Sequence, residues 1–279
     1  MLKTRIITAL VLLAVFIPAA LFLPDLGWTI LISAVVGVAA WEWAGLAGFG
    51  KKGRVAYGVG LFVAMSVISA AILVFVSKDS GMILLSAIYL ALLSCLFWFV
   101  VVPLWFRFRW SLKGVIGLVI GIIVLIPACL VAIIMVIHIN SKLFLVIISF
   151  AWVADIAAYA TGRLFGRHKL APTISPGKTW EGAAGAFVAV FFCFYAWLFL
   201  VGPSAESIMQ LIMLLCLAFA LTAACILGDL FESLLKRQAG VKDSSNLLPG
   251  HGGVLDRIDS VLALLAISPA LILILWVAT

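Results

Sequence analysis

Apolar runs of about 18 or more residues recur from one end of this 279-residue chain to the other. In hydrocarbon only helices and closed barrels satisfy their own backbone, and barrel strands alternate apolar with polar residues, so continuous runs mean helices. With 66% apolar and 10% charged residues, the chain is expected to be an all-α polytopic membrane protein. The runs place about nine transmembrane helices near 6–23, 28–47, 55–76, 81–102, 114–136, 143–161, 182–201, 207–228 and 260–278. The first exceeds the apolar stretch of a signal peptide and lacks a small-residue cleavage site, so it is read as a retained helix. Residues 1–113 form an N-terminal group of helices with short connections, and residues 114–279 a C-terminal group holding the long polar segments.

Cytoplasmic loops collect Lys and Arg. On the nine-span arrangement, 16 of the 18 basic residues fall on one side, near the N-terminus and around residues 51–54, 107–113, 163–178 and 236–257; only Lys78 and Lys142 fall opposite. The N-terminus is therefore expected in the cytoplasm and Thr279 outside. The net charge of +7 expresses this topology; it attracts anionic headgroups and gives no argument for nucleic acid. Cys95, Cys129, Cys193, Cys216 and Cys225 all stand in apolar spans without metal-ligand spacing, and are read as small buried hydrophobes with no disulfides. Glu42, between Trp41 and Trp43, reads either as a paired structural carboxylate or as a helix contact supporting an active site.

The polar residues after position 150 carry the candidate chemistry. Asp155 lies in an apolar helix, where a charge costs about 2.5–3.5 kcal/mol and needs a partner or a task. "SPGKT" is not a Walker motif, since Pro172 stands where the first glycine belongs. It does place Ser175, Lys178 and Thr179 on a flexible turn before a helix starting near Glu181, either as an anion cradle or as a simple turn and cap. In "GDLFESLLKR", helical spacing aligns Asp229, Glu232 and Lys236, with Ser233 and Arg237 beside them; a solvated amphipathic face would look similar.

"KDSSNLLPGHGGVLDRID", residues 242–259, combines a glycine-rich loop around His251 with Asp256 and Asp259 one helical turn apart. These acids either complement a helix dipole or, with Asp229, offer the oxygen ligands that hold Mg²⁺ when a polyphosphate completes the coordination. Lys236, Arg237, Lys242 and Arg257 would neutralise phosphate. His251 is open to three roles: phosphate donor, general base, or a loop residue satisfied locally. An ion-coupled transporter using Asp155 and Glu42 is the rival class, although no inverted repeat is evident and the polar residues gather on one face. A membrane scaffold is a third, with no use for acids beside a glycine loop.

From Ser233 to Asp259 the sequence "SLLKRQAGVKDSSNLLPGHGGVLDRID" resembles the signature of the phosphatidate cytidylyltransferase, or CDP-diacylglycerol synthase, family; "SPGKTWEG" and "LGDLFES" resemble further patterns of that family in the same order. The resemblance implies transfer of the CMP moiety of CTP to phosphatidate, releasing pyrophosphate, for phospholipid biosynthesis. It implies Mg²⁺, with K⁺ a candidate second cation, a possible homodimer, and a bacterial cytoplasmic (inner) membrane. On this account Asp229, Asp256 and Asp259 are metal ligands, and Asp229, Asp256, Asp259, Lys236 and His251 the catalytic set. Ser175, Lys178, Thr179, Arg237, Lys242, Arg257 and Asp155 bind substrate in a cytoplasm-facing polar cavity.

Overall fold

The computed structural model of the protein describes residues 2–75, 81–201 and 208–278; Lys78 and Thr279, on which part of the expected topology rests, lie outside them. The order is α1 (Leu2–Phe22), α2 (Asp25–Leu46), α3 (Lys51–Phe75), α4 (Gly81–Leu96), α5 (Val102–Phe108), α6 (Gly114–Ile134), α7 (Ser141–Phe165), β1 (Lys169–Ala171), β2 (Ser175–Thr179), α8 (Trp180–Val201), α9 (Ile208–Gln238) and α10 (Leu255–Ala278). A π-helical segment, Phe97–Val101, joins α4 to α5, and a second, Met135–Asn140, joins α6 to α7. Six helical stretches among the described residues are long and apolar enough to cross a membrane. One of them, Gly114–Phe165, has 52 residues and is interrupted at Asn140, whose extended backbone and side-chain carbonyl, accepting from the N–H groups of Lys142 and Leu143, start a new helix.

Two corrections concern the sequence reading of secondary structure. "SPGKT" is not a flexible turn: it is strand β2, paired antiparallel with β1 in the register Lys169 with Thr179 and Ala171 with Ser175, so the all-α expectation admits one small hairpin. α8 then begins at Trp180, one residue before the expected start. A third correction concerns cysteine. All five are free, but Cys193 and Cys216 are exposed on outward faces rather than buried.

Aromatic side chains fix where the helices cross. Phe231 of α9 meets the rings of Trp43, Phe97, Trp98 and Trp105 at centroid distances of 5.8–6.4 Å, mostly edge to face, as ring quadrupoles favour. The π-helical turn brings both Phe97 and Trp98 to this cluster. Buried indole and phenol groups find carbonyls where glycine lets helices approach: Trp43 Nε1 donates to Gly117 O at 2.8 Å and Tyr57 OH to Leu118 O at 2.7 Å. A Cβ on Gly121 would collide with the Tyr57 hydroxyl and the Trp43 indole ring. At the α9–α10 crossing, a Cβ on Gly228 would strike the Asp259 carbonyl. This close approach sets Asp229 beside Asp259.

The basic connections gather at one end of the bundle. Thr8 Oγ1 donates to Pro249 O, Gly114 N to Ala47 O, Gln238 Nε2 to Trp110 O, and Arg237 Nε to Ile174 O. All five segments that carry the 16 basic residues are thus linked at the same end. α9, with 31 residues, is about 46 Å long at 1.5 Å per residue, well beyond a hydrocarbon core of about 30 Å. Its polar C-terminal turns extend into that end.

Candidate active site

α9 ends in a hydrogen-bonded C-cap, with Val241 N donating to Lys236 O and Gly240 N to Arg237 O, Gly240 supplying the left-handed φ of 73°. The chain then runs over the bundle to α10. Within this connection "LPGHG" forms a tight turn in which Leu248 and Gly252 exchange a bridge; Gly250 and Gly252 have φ of 73° and 80°, which L side chains rarely adopt. His251 N donates to Leu248 O at 2.9 Å, and its buried Nδ1 faces no hydrogen-bond partner among the described residues.

Glu42 organises this connection. Its side chain is fully buried and its carboxylate accepts from Ser245 Oγ at 2.5 Å, Leu255 N at 2.7 Å, Val254 N at 3.0 Å and Ser244 Oγ at 3.2 Å. Two of these donors are otherwise unsatisfied N–H groups at the start of α10. Of the two readings left open for Glu42, the contacts describe a carboxylate that ties α2 to the signature loop. Gly253 is required beside it, because a Cβ there would collide with Ser244 and Glu42.

Asp256 completes the same network. Its Oδ2 accepts from Gly253 N at 2.7 Å, Ser244 Oγ at 2.8 Å and Ser244 N at 2.9 Å, and its Oδ1 from Lys236 Nζ at 2.7 Å. Burial acts to raise the Asp256 carboxyl, but the bonds from Lys236, Gly253 and Ser244 outweigh it and hold the group down at about 2. Lys236 lies between Asp256 and buried Glu232, with which it also forms an ion pair. Its charge is therefore already matched within the protein.

A second set of acids lies at the α7, α9 and α10 faces. Asp229 accepts from Ser233 Oγ at 3.2 Å and pairs with Lys178 Nζ at 2.6 Å. Asp155 and Asp259 lie close enough to Asp229 for their charges to act on one another, and the Lys178 and Arg257 charges reach Asp155 as well. Asp155 and Arg257 are exposed, and Asp259 is partly buried with one carboxylate oxygen accepting from Ser260 N. The hairpin delivers Lys178 to this set. Its base is secured by His168, whose ring nitrogen and backbone N–H both bond Glu181 at the start of α8.

The structure thus joins Asp155, Asp229, Asp259, Lys178 and Arg257 in one open group, and Asp256 and Lys236 in a buried one. Thr179 joins neither through its hydroxyl: Oγ1 accepts from Gly182 N at 3.1 Å and caps α8. Arg237 is tied to the hairpin through Ile174 O. Lys242 is exposed on the loop, and Ser175 is half-buried in β2. Sequence reasoning passed over Ser244, Ser245, the Glu232 ion pair and the His168–Glu181 pair. The adjacent serines after Asp243 are the only local signal for the first two.

Among the described residues, no three His, Cys, Asp or Glu side chains converge closely enough to hold a metal ion by themselves. The neighbouring carboxylates of Asp155, Asp229 and Asp259, offset by Lys178, are the ones that could contribute ligands to a Mg²⁺ ion. That ion takes one or two carboxylates and completes its shell with water and substrate phosphates.

Comparison with known proteins places the chain in a family. The profile of the Cytidylyltransferase family matches residues 3–275. The chain is 40% identical over 283 residues to the phosphatidate cytidylyltransferase of Pseudomonas aeruginosa, covering 100% of this chain and 98% of that one. It is 32% identical over 279 residues to the phosphatidate cytidylyltransferase of Haemophilus influenzae, covering 94% and 96%. With the protein of the same name from Mycobacterium bovis, 110 residues are 47% identical, 39% of this chain. From a match that runs nearly end to end over a helical membrane fold, the chain belongs to the cytidylyltransferase family.

Proposed function

We propose that this protein is a nucleotidyltransferase that moves the CMP moiety of CTP to phosphatidate, forming CDP-diacylglycerol and pyrophosphate for phospholipid biosynthesis. The observation that carries the reading is the Lys178–Asp229 pair, a cation and a carboxylate that partner each other at rest and would separate onto a phosphate and a metal. A phosphate oxygen of phosphatidate attacks the α-phosphorus of CTP; the bond to the β-phosphate bridging oxygen breaks and pyrophosphate leaves. The substrate phosphate is already ionised near neutral pH, so no general base is needed, and His251 is left to hydrogen-bond phosphate. The catalyst's work is positioning and charge stabilisation.

Asp229 and Asp259, with Asp155 adjacent, would hold Mg²⁺, and K⁺ is the candidate second cation. Bound there, Mg²⁺ would supply charge stabilisation to the transferring phosphoryl group. Lys178, Arg257 and Lys242 orient and neutralise phosphates, with Ser175 and Arg237 at the hairpin side. Asp256 and Lys236 enter differently. Ser244 and Gly253 occupy Asp256 Oδ2, so Asp256 would meet a metal only through Oδ1, in place of Lys236; in the resting network this pair holds the loop that carries His251 and Arg257. The purified protein, given labelled CTP and Mg²⁺, should release pyrophosphate only when phosphatidate is present. Release without lipid, or none with it, overturns the reading.

The membrane arrangement belongs to the same proposal. Nine crossings follow if Gly114–Phe165 divides at Asn140 and if α1 and α10 also span; 52 residues would measure about 78 Å as one helix, far more than a bilayer core. The gathering of the basic segments at one end supports a cytoplasmic N-terminus and a polar cavity open to the cytoplasm, in a bacterial inner membrane, with residues 1–113 as one wall and 114–279 carrying the chemistry. Val241→Cys should react with an impermeant thiol reagent from the cytoplasmic side and Lys142→Cys from the opposite one; the reverse pattern would separate the site from CTP. The homodimer implied by the resemblance is tested by the mass of the purified protein in detergent.

A further inference from the structure

A groove of about 450 Å³ runs between α2 and α3, away from the acidic groups. Its floor is built by two glycines. A Cβ on Gly37 would press on Phe62 and the Gly58 carbonyl, and one on Gly58 would press on the Gly37 carbonyl, so the two backbones touch and no side chain fills the channel above them. Its walls are apolar, with Val38 and Trp41 on one side and Val55 and Val59 on the other, and Leu247 of the signature loop also lines it. The volume falls within the range of about 300–1,000 Å³ usual for small-molecule sites.

The two ends differ in charge. At the end where α3 begins, the Arg54 guanidinium lies 3.8 Å from the centre of the Trp41 ring and donates to the Trp41 carbonyl, with no carboxylate paired to it among the described residues. Lys51 and Lys52 are exposed one turn before Val55, on its side of the helix. Toward Ala34 and Phe62 the groove carries no charge. A channel that is cationic at the membrane surface and apolar below matches one kind of molecule in a bilayer.

We propose that this groove binds a phospholipid with an anionic headgroup, its phosphate facing Arg54, Lys51 and Lys52 and one acyl chain lying over Gly37 and Gly58 against Leu247. The bound chain would touch the loop that Glu42 holds through Ser245, two residues from Leu247. This site does not depend on the proposed reaction. It would make the order of the signature loop sensitive to the anionic lipid content of the membrane.

The test uses the full-length protein in phosphatidylcholine nanodiscs doped with either phosphatidylglycerol or phosphatidylcholine bearing a photoreactive acyl chain, with cross-linked peptides mapped. Phosphatidylglycerol should label residues 34–41, 55–62 and Leu247 several-fold more than phosphatidylcholine does. Val59→Trp, which fills the groove from an exposed wall, should remove that labelling while leaving the outer face of α8 at Phe192 and Phe199 labelled as before. Replacing Arg54, Lys51 and Lys52 by Gln should abolish the headgroup preference. Equal labelling of groove and α8 face by both lipids means ordinary boundary lipid and overturns the proposal. So does disulfide dimer formation by Val38→Cys in place of labelling, which would put a second copy in the groove. Because labelling needs no turnover, these outcomes are independent of whether the cytidylyl transfer assay succeeds.

Discussion

The acids at the polar end of the bundle form two regions of opposite character. Glu42, Glu232 and Asp256 are buried, and the donors around Glu42 and Asp256 come from the chain itself: backbone N–H groups of Ser244, Gly253, Val254 and Leu255, hydroxyls of Ser244 and Ser245, and the Lys236 ammonium. Asp155, Asp229 and Asp259 have few such donors and face one another, with Lys178 and Arg257 nearby and Asp259 also within reach of the Glu232 and Lys236 charges. A carboxylate whose lone pairs are filled by its own protein shapes structure. One that faces other carboxylates is costly to keep that way and calls for a cation. The contrast separates residues that hold the loop from residues that would meet the substrate.

The largest effect that could break this contrast is at Asp229. Asp229→Asn keeps the size and the bond from Ser233 but loses the charge, so kcat should fall on the order of 10²-fold or more. The Mg²⁺ concentration needed for half-maximal activity should rise with it. Asp256→Asn should also lose activity, but with the Mg²⁺ requirement unchanged and with faster amide exchange over 241–255. Equal shifts of the Mg²⁺ midpoint in both variants would merge the two regions into one metal centre.

Glu42→Gln sharpens the comparison next. Glutamine preserves the shape yet turns one acceptor into a donor facing N–H and O–H groups, and hydrogen bonds to a charged group contribute about 1.5–3 kcal/mol each. A loss of about tenfold or more in kcat is expected, with amide protection of residues 244–255 reduced and Mg²⁺ dependence intact. Wild-type protection would show that the loop is held by something else. Asp256 itself adds no response to alkaline shifts: held down at about 2, its contribution is present above the ordinary carboxylate value of about 3.9 and is lost only as pH falls toward 2.

How far this division is visible in the sequence depends on distance along the chain. Long apolar runs announce the helices because the bilayer imposes their length and composition residue by residue. The Asp229, Glu232 and Lys236 stripe follows from helical period alone. The partners are another matter. Glu42 meets Ser244 and Leu255 some 200 residues away, and Lys178 meets Asp229 across the hairpin; no local pattern encodes either. β2 was equally hidden, since Pro, Gly and Lys favour turns and only pairing with Lys169–Ala171 makes the segment a strand. Lys236 and Arg257 both read as phosphate partners, and only burial beside Glu232 and Asp256 distinguishes the first from the second.

Gly228→Ala tests how the two regions are held in register. The added methyl would press on the Asp259 carbonyl at the α9–α10 crossing, and overpacking of this kind costs about 1–3 kcal/mol. Lower thermal stability and a several-fold fall in activity are expected, because Asp229 and Asp259 would be pushed apart. An unaltered melting temperature would mean that the crossing has room to spare.

The smallest effect is expected at Thr179, where the difference between holding and reacting is carried by a single hydroxyl. Its Oγ1 accepts from Gly182 N, three residues on, in the manner of an N-cap. Its methyl lies close to Gly166 and its hydroxyl oxygen close to both Gly162 and Gly166 at the α7 end, where a Cβ would be crowded. Thr179→Ala removes the cap and leaves one orphan N–H at the start of α8, a loss of about 1 kcal/mol in stability. Thr179→Ser keeps the cap and should recover most of that loss. Neither change removes a charge from the open acidic group, and Lys178 stays on β2, held by the His168–Glu181 contact on one side and by β1 on the other. Both variants should therefore retain kcat/KM for CTP within a few-fold of wild type. If Thr179→Ala instead loses activity on the order of 10²-fold with stability unchanged, the hydroxyl touches phosphate in the working enzyme. Thr179 would then move from the region that holds the site to the region that reacts.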